Sequence, residues 1–352
     1  AYGPLFREGQ TANVNATWET ARKQNLGFDI TLLRRLTATL DFYSEKRNGI
    51  LMTVAVPAWS GMLAADGNVG ITKSHGFEWE MEWKDRIGKH FSYRINGSYT
   101  FNENRVVYRN DPAYTPDYQK YAGKPINYRS KLLATGYYAS LDDIFNYATP
   151  NNTTTQGLLV PGDLMYVDYN ADGLIDDTGD MAPVEYNNYP QQTFSWTLGF
   201  AWKGLEFSAL FYGVKDVYKD LAGALQWSFQ QADINNWYAS PDVVDRWTPE
   251  TAETASLPAL HYTGAARGYS MRTGTTFAFK NASYIRLKTA ELSWLFLPAY
   301  IKSMGISRLQ FYVNANNLFT FTSFDRRTDP EINTTSLYPL VRRYNFGVRL
   351  SF

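Results

Sequence analysis

The 352-residue sequence predicts an all-β fold, an antiparallel transmembrane β-barrel, on three observations. Apolar and polar residues alternate with period 2 along much of the chain, the mark of strands with two unlike faces. The alternating runs reach about 9–12 residues, the length a tilted strand needs to cross a bilayer, whereas strands of water-soluble proteins average about 5–6. Short and long connections follow one another in turn, as they do in outer-membrane barrels.

The strands follow in order. Leu26, Phe28, Ile30 and Leu32 alternate with Asn25, Gly27, Asp29 and Thr31. After a break at Arg34-Arg35, Leu36, Ala38, Leu40 and Phe42 alternate with Thr37, Thr39 and Asp41. Phe77, Trp79, Met81 and Trp83 stand against Glu78, Glu80 and Glu82, and Tyr93, Ile95, Gly97, Tyr99 and Phe101 against Arg94, Asn96, Ser98 and Thr100. Phe194 to Trp202 and Leu205 to Phe211 form a pair around Lys203-Gly204. A weaker strand runs from Tyr284 to Leu295, with its apolar phase shifting near Thr289. Another runs from Leu309 to about Ala315 and loses phase at Asn316-Asn317. The last alternates Tyr344, Phe346, Val348, Leu350 and Phe352 with Asn345, Gly347, Arg349 and Ser351.

A soluble β-sandwich alternates too, but its buried face does not tolerate charges in series such as Glu78, Glu80 and Glu82. A water-filled lumen does, and Trp and Tyr near the strand ends suit interfacial girdles. A lipid-facing Arg or Lys costs about 2–4 kcal/mol at the midplane, and the apolar faces carry none outside the irregular Tyr284 strand. A mean hydropathy of −0.38 excludes a bundle of membrane helices but not a barrel that is apolar on one face. Aromatics make up 16% of the chain, enough for girdles and loops together. Equal numbers of basic and acidic residues, 34 each, argue against a nucleic-acid binder. Zero cysteine removes disulfides, thiolate zinc sites and cysteine nucleophiles. His75, His90 and His261 lie far apart outside any ligand spacing, and no nucleotide or hydrolase motif occurs. The sequence predicts no enzyme and no organic cofactor.

Leu33–Arg35, Lys84–His90, Lys203-Gly204 and Pro298–Ser307 are the short connections. Lys46–Ser74, Val106–Gln191, Gly213–Asn281 and Thr322–Val341 are the long ones. The apolar stretch Leu51–Ala65 then falls in a long connection, where it suggests contact with a plug or partner, and Arg129–Ser140 is a loop excursion. Nine spanning strands result, and single-chain bacterial barrels have even numbers. The count predicts a portion of a larger barrel beginning in an outer loop.

The strongest local motif is Asp168-x-Asn170-x-Asp172-Gly173-x-Ile175-Asp176, which matches an EF-hand-type Ca²⁺ loop in its alternate oxygen ligands and its turn glycine. Gly179 stands where the last Glu belongs, so Asp177 or Asp180 would have to substitute. The competing reading is a turn whose carboxylates bond backbone amides without a metal.

A set of short motifs recurs in order from about Trp18 onward. They include Trp18-Glu19-Thr20, Asn68-Val69-Gly70 before Gly76-Phe77-Glu78, and Gly162-Asp163 before the Asp168 loop. Asp245-Arg246-Trp247-Thr248-Pro249-Glu250 and Ser283-Tyr284-Ile285-Arg286-Leu287-Lys288 follow, then Asn314-Ala315-Asn316-Asn317-Leu318, Asp329-Pro330-Glu331, Tyr338-Pro339 and Phe352. In this set the chain resembles the C-terminal half of SusC/RagA-type TonB-dependent transporters of Bacteroidota. The resemblance implies that residues 1–352 are the C-terminal part of a plugged barrel of about 22 strands. The plug and about thirteen upstream strands would lie outside this chain. It further implies a SusD-like surface lipoprotein, the TonB–ExbB–ExbD complex, outer-membrane lipid, and an oligosaccharide or oligopeptide substrate. The alternatives are a passive porin or adhesin-type barrel without energy coupling, and a soluble glycan-binding β domain. The terminal strand ending in Phe352 resembles an outer-membrane assembly signal. Trp227, Trp237, Tyr238, Tyr262, Tyr269, Tyr108 and Tyr114 in the long connections suit a partner lipoprotein or a substrate. Glu78, Glu80, Glu82 and Arg94 are expected to line the lumen and pack against a plug.

Overall fold

The computed structural model describes residues 13–56, 59, 65–150, 159–184, 187–221, 241–260, 274–296, 305–325, 328–332 and 340–352. One antiparallel sheet dominates, with its strands in chain order. They are β1 (Thr20–Leu32), β2 (Leu36–Thr53), β3 (Asp66–Ile87), β4 (Phe91–Tyr108), β5 (Gln192–Trp202), β6 (Leu205–Lys215), β7 (Tyr284–Leu295), β8 (Arg308–Thr322) and β9 (Arg343–Ser351). These are the nine spanning strands the alternation predicts. Among the described residues β1 and β9 are the two edges, each with a single partner. All thirteen residues of β1 are exposed.

The register sorts the side chains into two faces, because a residue and its cross-strand partner project to the same side. Phe28, Leu40, Trp79, Tyr99 and Phe194 form one apolar row across five strands. The adjacent polar row runs Asp29, Thr39, Glu80, Ser98, Ser195, Tyr212, Arg286 and Thr320. On the apolar face Trp79 and Trp196 meet edge to face at 6.0 Å, across the space left by Gly97.

The tight connections have the backbone that twisted hairpins favour. Leu33 and Arg34 both have positive φ, 54° and 56°, as do Lys203 and Gly204 at 48° and 95°, the mirror-type two-residue turn.

Three expectations are sharpened. The apolar phase shift near Thr289 is a β-bulge, with Lys288 as the extra residue between Leu287 and Thr289. The strand that loses phase at Asn316-Asn317 does not end there. It continues to Thr322, with Asn317 at φ 55° absorbing the irregularity. The connection expected over Lys46–Ser74 is largely strand, because β2 and β3 stay paired from Asn48↔Ile71 out to Thr53↔Asp66. Beyond the bilayer both sheet faces meet water, so the ladder persists while alternation, which reports only the difference between faces, disappears. Arg129–Ser140 is a loop excursion, as expected: Arg129–Lys131 pairs with Ala182–Val184, and Ala134–Tyr137 with Leu164–Tyr166, outside the large sheet.

Gly76 lies on the polar face of β3, where an added Cβ would overlap the Phe101 carbonyl oxygen and the Tyr43 ring. Gly76→Ala is expected to lower the unfolding free energy of the intact protein in detergent by about 1–3 kcal/mol through overpacking. Gly88→Ala, at a turn with nothing within 4 Å of the added carbon, loses only what its φ of +64° demands. Urea midpoints that coincide for the two variants would refute the assignment.

Candidate functional site

Two regions carry chemistry, the polar face of the sheet and the body built by the long connections. On the polar face Glu78, Glu80 and Glu82 pair in register with Thr100, Ser98 and Asn96, away from the apolar rows as expected. The Ser98 and Ser195 hydroxyls are 2.7 Å apart, linking β4 to β5. Arg94 lies over Gly199, whose missing side chain leaves room for the guanidinium. Toward the short turns a concavity of about 700 Å³ is lined by Lys84, Arg86, Arg94, Glu206 and Glu291. Gln310, almost wholly buried, anchors its rim by donating to Ser293 Oγ at 2.9 Å and to Glu206 at 3.3 Å. Arg349 reaches Glu291 at 3.2 Å from β9. A wall that mixes charge signs in this way suits a polar, hydrated contact rather than an apolar ligand.

At the long-connection end, Arg286 of β7 is 1% exposed and all its donor groups are engaged. Its Nε donates to Thr320 Oγ1 at 2.9 Å, Nη1 to Glu331 at 2.6 Å, and Nη2 to both Asp329 oxygens at 2.7 and 2.6 Å. Lys288 Nζ donates to Glu331 at 2.6 Å, and Lys219 Nζ to the Ile332 carbonyl at 2.6 Å. Burial lowers the Lys219 pKa, and Asp329 and Glu331 partly oppose that shift. The planar guanidinium meets two carboxylates in fork geometry, so the segment carrying Asp329 and Glu331 is tied to the polar face of the sheet. Arg286 can take this position because the bulge at Lys288 keeps it in the polar row. The sequence offers Arg286 and Asp329-Pro330-Glu331 as separate motifs, and nothing in it pairs them.

The described parts of the long connections form a body with two apolar clusters that sequence reasoning missed. One gathers Val214, Val217, Leu221, Leu257, Ala282 and Phe324, and the other Leu132, Tyr138, Leu159, Leu164, Tyr166 and Ile175. Phe277 packs against both. Its backbone neighbours complete the staple, since Thr276 N–H donates to the Leu132 carbonyl and Leu221 N–H to that of Ala278. An ion pair between the buried Lys131 Nζ and the partly exposed Asp220, at 2.8 Å, joins the same two connections. Burial pushes the Tyr137 phenol up to about 12. Gly162, at φ +94°, makes room for the Trp247 ring, so two of the short motifs touch. The helix α1 (Leu141–Asn146) starts with a capping box of Ser140 and Asp143.

In the 168–180 loop Asp168, Asp172, Asp176 and Asp180 face backbone amides. Asp168 accepts from Gly173 N–H at 2.8 Å, Asp172 from Leu174 at 2.8 Å, and Asp176 from Gly179 at 2.6 Å. Asp180, 1% exposed, accepts from Tyr169 and Asp176 at 2.7 Å each. Asn170 accepts from Asp172 N–H at 3.0 Å. Among the described residues no group of three or more acidic or histidine side chains is gathered to hold a metal ion. These bonds are those of the amide-bonded turn, one of the two readings of the motif. Of the aromatics singled out in the connections, Tyr114 is 98% exposed and Tyr108 ends β4 half exposed. Trp227, Trp237, Tyr238, Tyr262 and Tyr269 lie outside the described residues.

Two outcomes follow from these contacts. If the amide-bonded turn is the whole of the motif, Ca²⁺ titrated into the parent and into Asp172→Ala should give equal heats by calorimetry; a saturable heat lost in the variant would establish the metal. Arg286→Gln strands a carboxylate pair at a largely buried site, a loss of about 3 kcal/mol for a broken buried pair. Hydrogen exchange of residues 328–332 in the intact protein should accelerate sharply in that variant, and unchanged protection would show that the tie is dispensable.

No family model matches the chain. By sequence it is 22% identical over 97% of its length to TonB-dependent receptor P3 of Formosa agariphila, covering 35% of that protein. TonB-dependent receptor P26 of the same organism is 25% identical over 92% of the chain and 32% of the relative. TonB-dependent receptor SusC of Bacteroides thetaiotaomicron is 24% identical over 97% of the chain, again 32% of the relative. The chain thus spans about a third of the length of the curated relatives it matches. The RagAB peptide importer in its open-open state superposes with a TM-score of 0.69 at 19% identity, over 97% of this chain and 36% of that one. A second RagAB peptide transporter structure gives 0.67 at 20% identity, over 95% and 36%. These names are those of receptors and transporters, in keeping with a chain that is not an enzyme. Over nearly its whole length the chain is thus similar in sequence to TonB-dependent receptors, SusC among them, and in fold to about a third of the RagAB peptide importer.

Proposed function

We propose that this chain forms the C-terminal part of the wall of a closed, plugged outer-membrane barrel that imports nutrients. The observation that carries the reading is the nine-stranded sheet with one apolar face, one charged face and two edges that each have a single partner among the described residues. In hydrocarbon an unpaired edge leaves backbone groups without partners, so such a sheet calls for further strands to close it. About thirteen more would complete the 22-stranded type. The charged face, with Glu80, Glu82 and Arg94, then becomes the lumen wall, and the mixed-charge concavity near the short turns becomes the seat of a plug. The loop body would meet a SusD-like lipoprotein on the outside, and TonB–ExbB–ExbD would supply energy from within. The cargo is an oligosaccharide or an oligopeptide. The RagAB neighbours, named for peptide import, keep the second class open.

Energy coupling separates this reading from a passive porin. Uptake by cells carrying the intact receptor and its lipoprotein should fall to background when a protonophore collapses the proton gradient. Uptake that continues at the original rate would establish a passive pore.

A further inference from the structure

The connection from β8 to β9 does not stand above its own two strands. After Thr322 it turns back across β7 toward β6, on the polar face of the sheet. Phe324 joins the buried cluster that holds Val214 of β6 and Tyr284 of β7, a cross-strand pair on that face. Asp329 and Glu331 then reach Arg286, Glu331 also meets Lys288, and the Ile332 carbonyl accepts from Lys219 just beyond β6. Residues 328–332 therefore lie as a strap along a wall that is open elsewhere. Asp29 and Glu80, in the same cross-strand row as Arg286, are exposed, whereas Arg286 is almost wholly covered.

Two contacts of different kinds hold the strap. The apolar one at Phe324 fixes where the connection enters, but apolar packing alone tolerates sliding. The fork of two carboxylates on one guanidinium fixes a single position, at a desolvation cost that an apolar anchor would avoid. A fixed position matters most where the width of a passage is at stake. A chain laid on a sheet stands about 10 Å out from it, against roughly 44 Å across a wall of 22 strands tilted by about 40°. The strap takes that width from one side, close to the long connections and therefore inside the outer mouth. Asp329 and Glu331 stay partly exposed, so the narrowed edge is polar and hydrated.

We propose that residues 328–332, latched by Arg286, form a constriction inside the outer mouth and set the largest cross-section that enters the lumen. Cargo is then a slender chain admitted lengthwise, and Arg286 is the positioning residue that fixes the limit. This rests on the reading of the polar face as a lumen wall and is independent of how import is energised.

The test uses cells carrying the intact receptor with Thr197→Cys, in a chain that has no cysteine of its own. Thr197 shares the polar face with Glu82 and Asn96, two residues deeper on β5 than Ser195 and two strands from the strap. Polyethylene-glycol maleimides of graded mass are added from outside, and modification is read from the mass of the peptide carrying residue 197. Tyr114→Cys, at an exposed outer position, is the reference that every probe reaches. Labelling at 197 should cut off at a probe mass that 114 still accepts. Adding Arg286→Met, Asp329→Ala and Glu331→Ala should raise that cut-off at least twofold. A cut-off unchanged by the added substitutions would overturn the constriction alone. A parent with no cut-off would place residue 197 in open solvent and overturn the lumen reading with it. Should the triple addition fail to reach the surface, Glu331→Ala by itself should still raise the cut-off, and no rise would overturn the constriction equally.

Discussion

In the hydrocarbon core no water is present to satisfy a peptide N–H or C=O, so each strand that crosses it must find its hydrogen bonds in the strands on either side. The rest of this structure depends on that requirement. It imposes long, continuously paired strands from β1 to β9 and leaves little freedom in how they are joined at the short turns. At Leu33-Arg34 two non-glycine residues take positive φ so that the ladder can begin at once at Leu32↔Leu36. Where the ladder runs on past the bilayer, as it does out to Thr53↔Asp66, it holds the outer hairpin without help from lipid.

The same ladder decides where chemistry can sit. A continuous register sends alternate residues to opposite faces without exception, so charge reaches the polar side only in step with the pairing. In β7 the apolar phase changes at Lys288. Through that bulge β7 keeps Ile285 and Leu287 on the apolar face below Arg286, and Leu292 and Trp294 on the same face beyond. Arg286 is thereby left among the polar groups, where Asp329 and Glu331 fold back onto it. The bulge and the ion cluster are two parts of one local solution.

The loop body obeys different rules. Its clusters around Leu132 and Leu221 are small and made of residues scattered over long separations, and they hold together through Phe277 and the Lys131–Asp220 pair. Asx-type bonding in the 168–180 loop closes its turn through carboxylates that accept from backbone amides.

By itself the sequence determined the number of spanning strands, the face each residue occupies, and the site of the phase shift near Thr289. All three are encoded in period-2 alternation, which lipid on one side and water on the other enforce residue by residue. Alternation fell silent where that asymmetry ends, and so the outer extension of β2 and β3 and the continuation of β8 past Asn317 came only with the structure. The tertiary structure alone decided the partners of Arg286, the two loop clusters and the course of residues 328–332 along the polar face. Each of these depends on register between strands or on contacts across long loops. Neither leaves a periodic trace in the chain, because the residues involved are brought together in space at separations that no local pattern records.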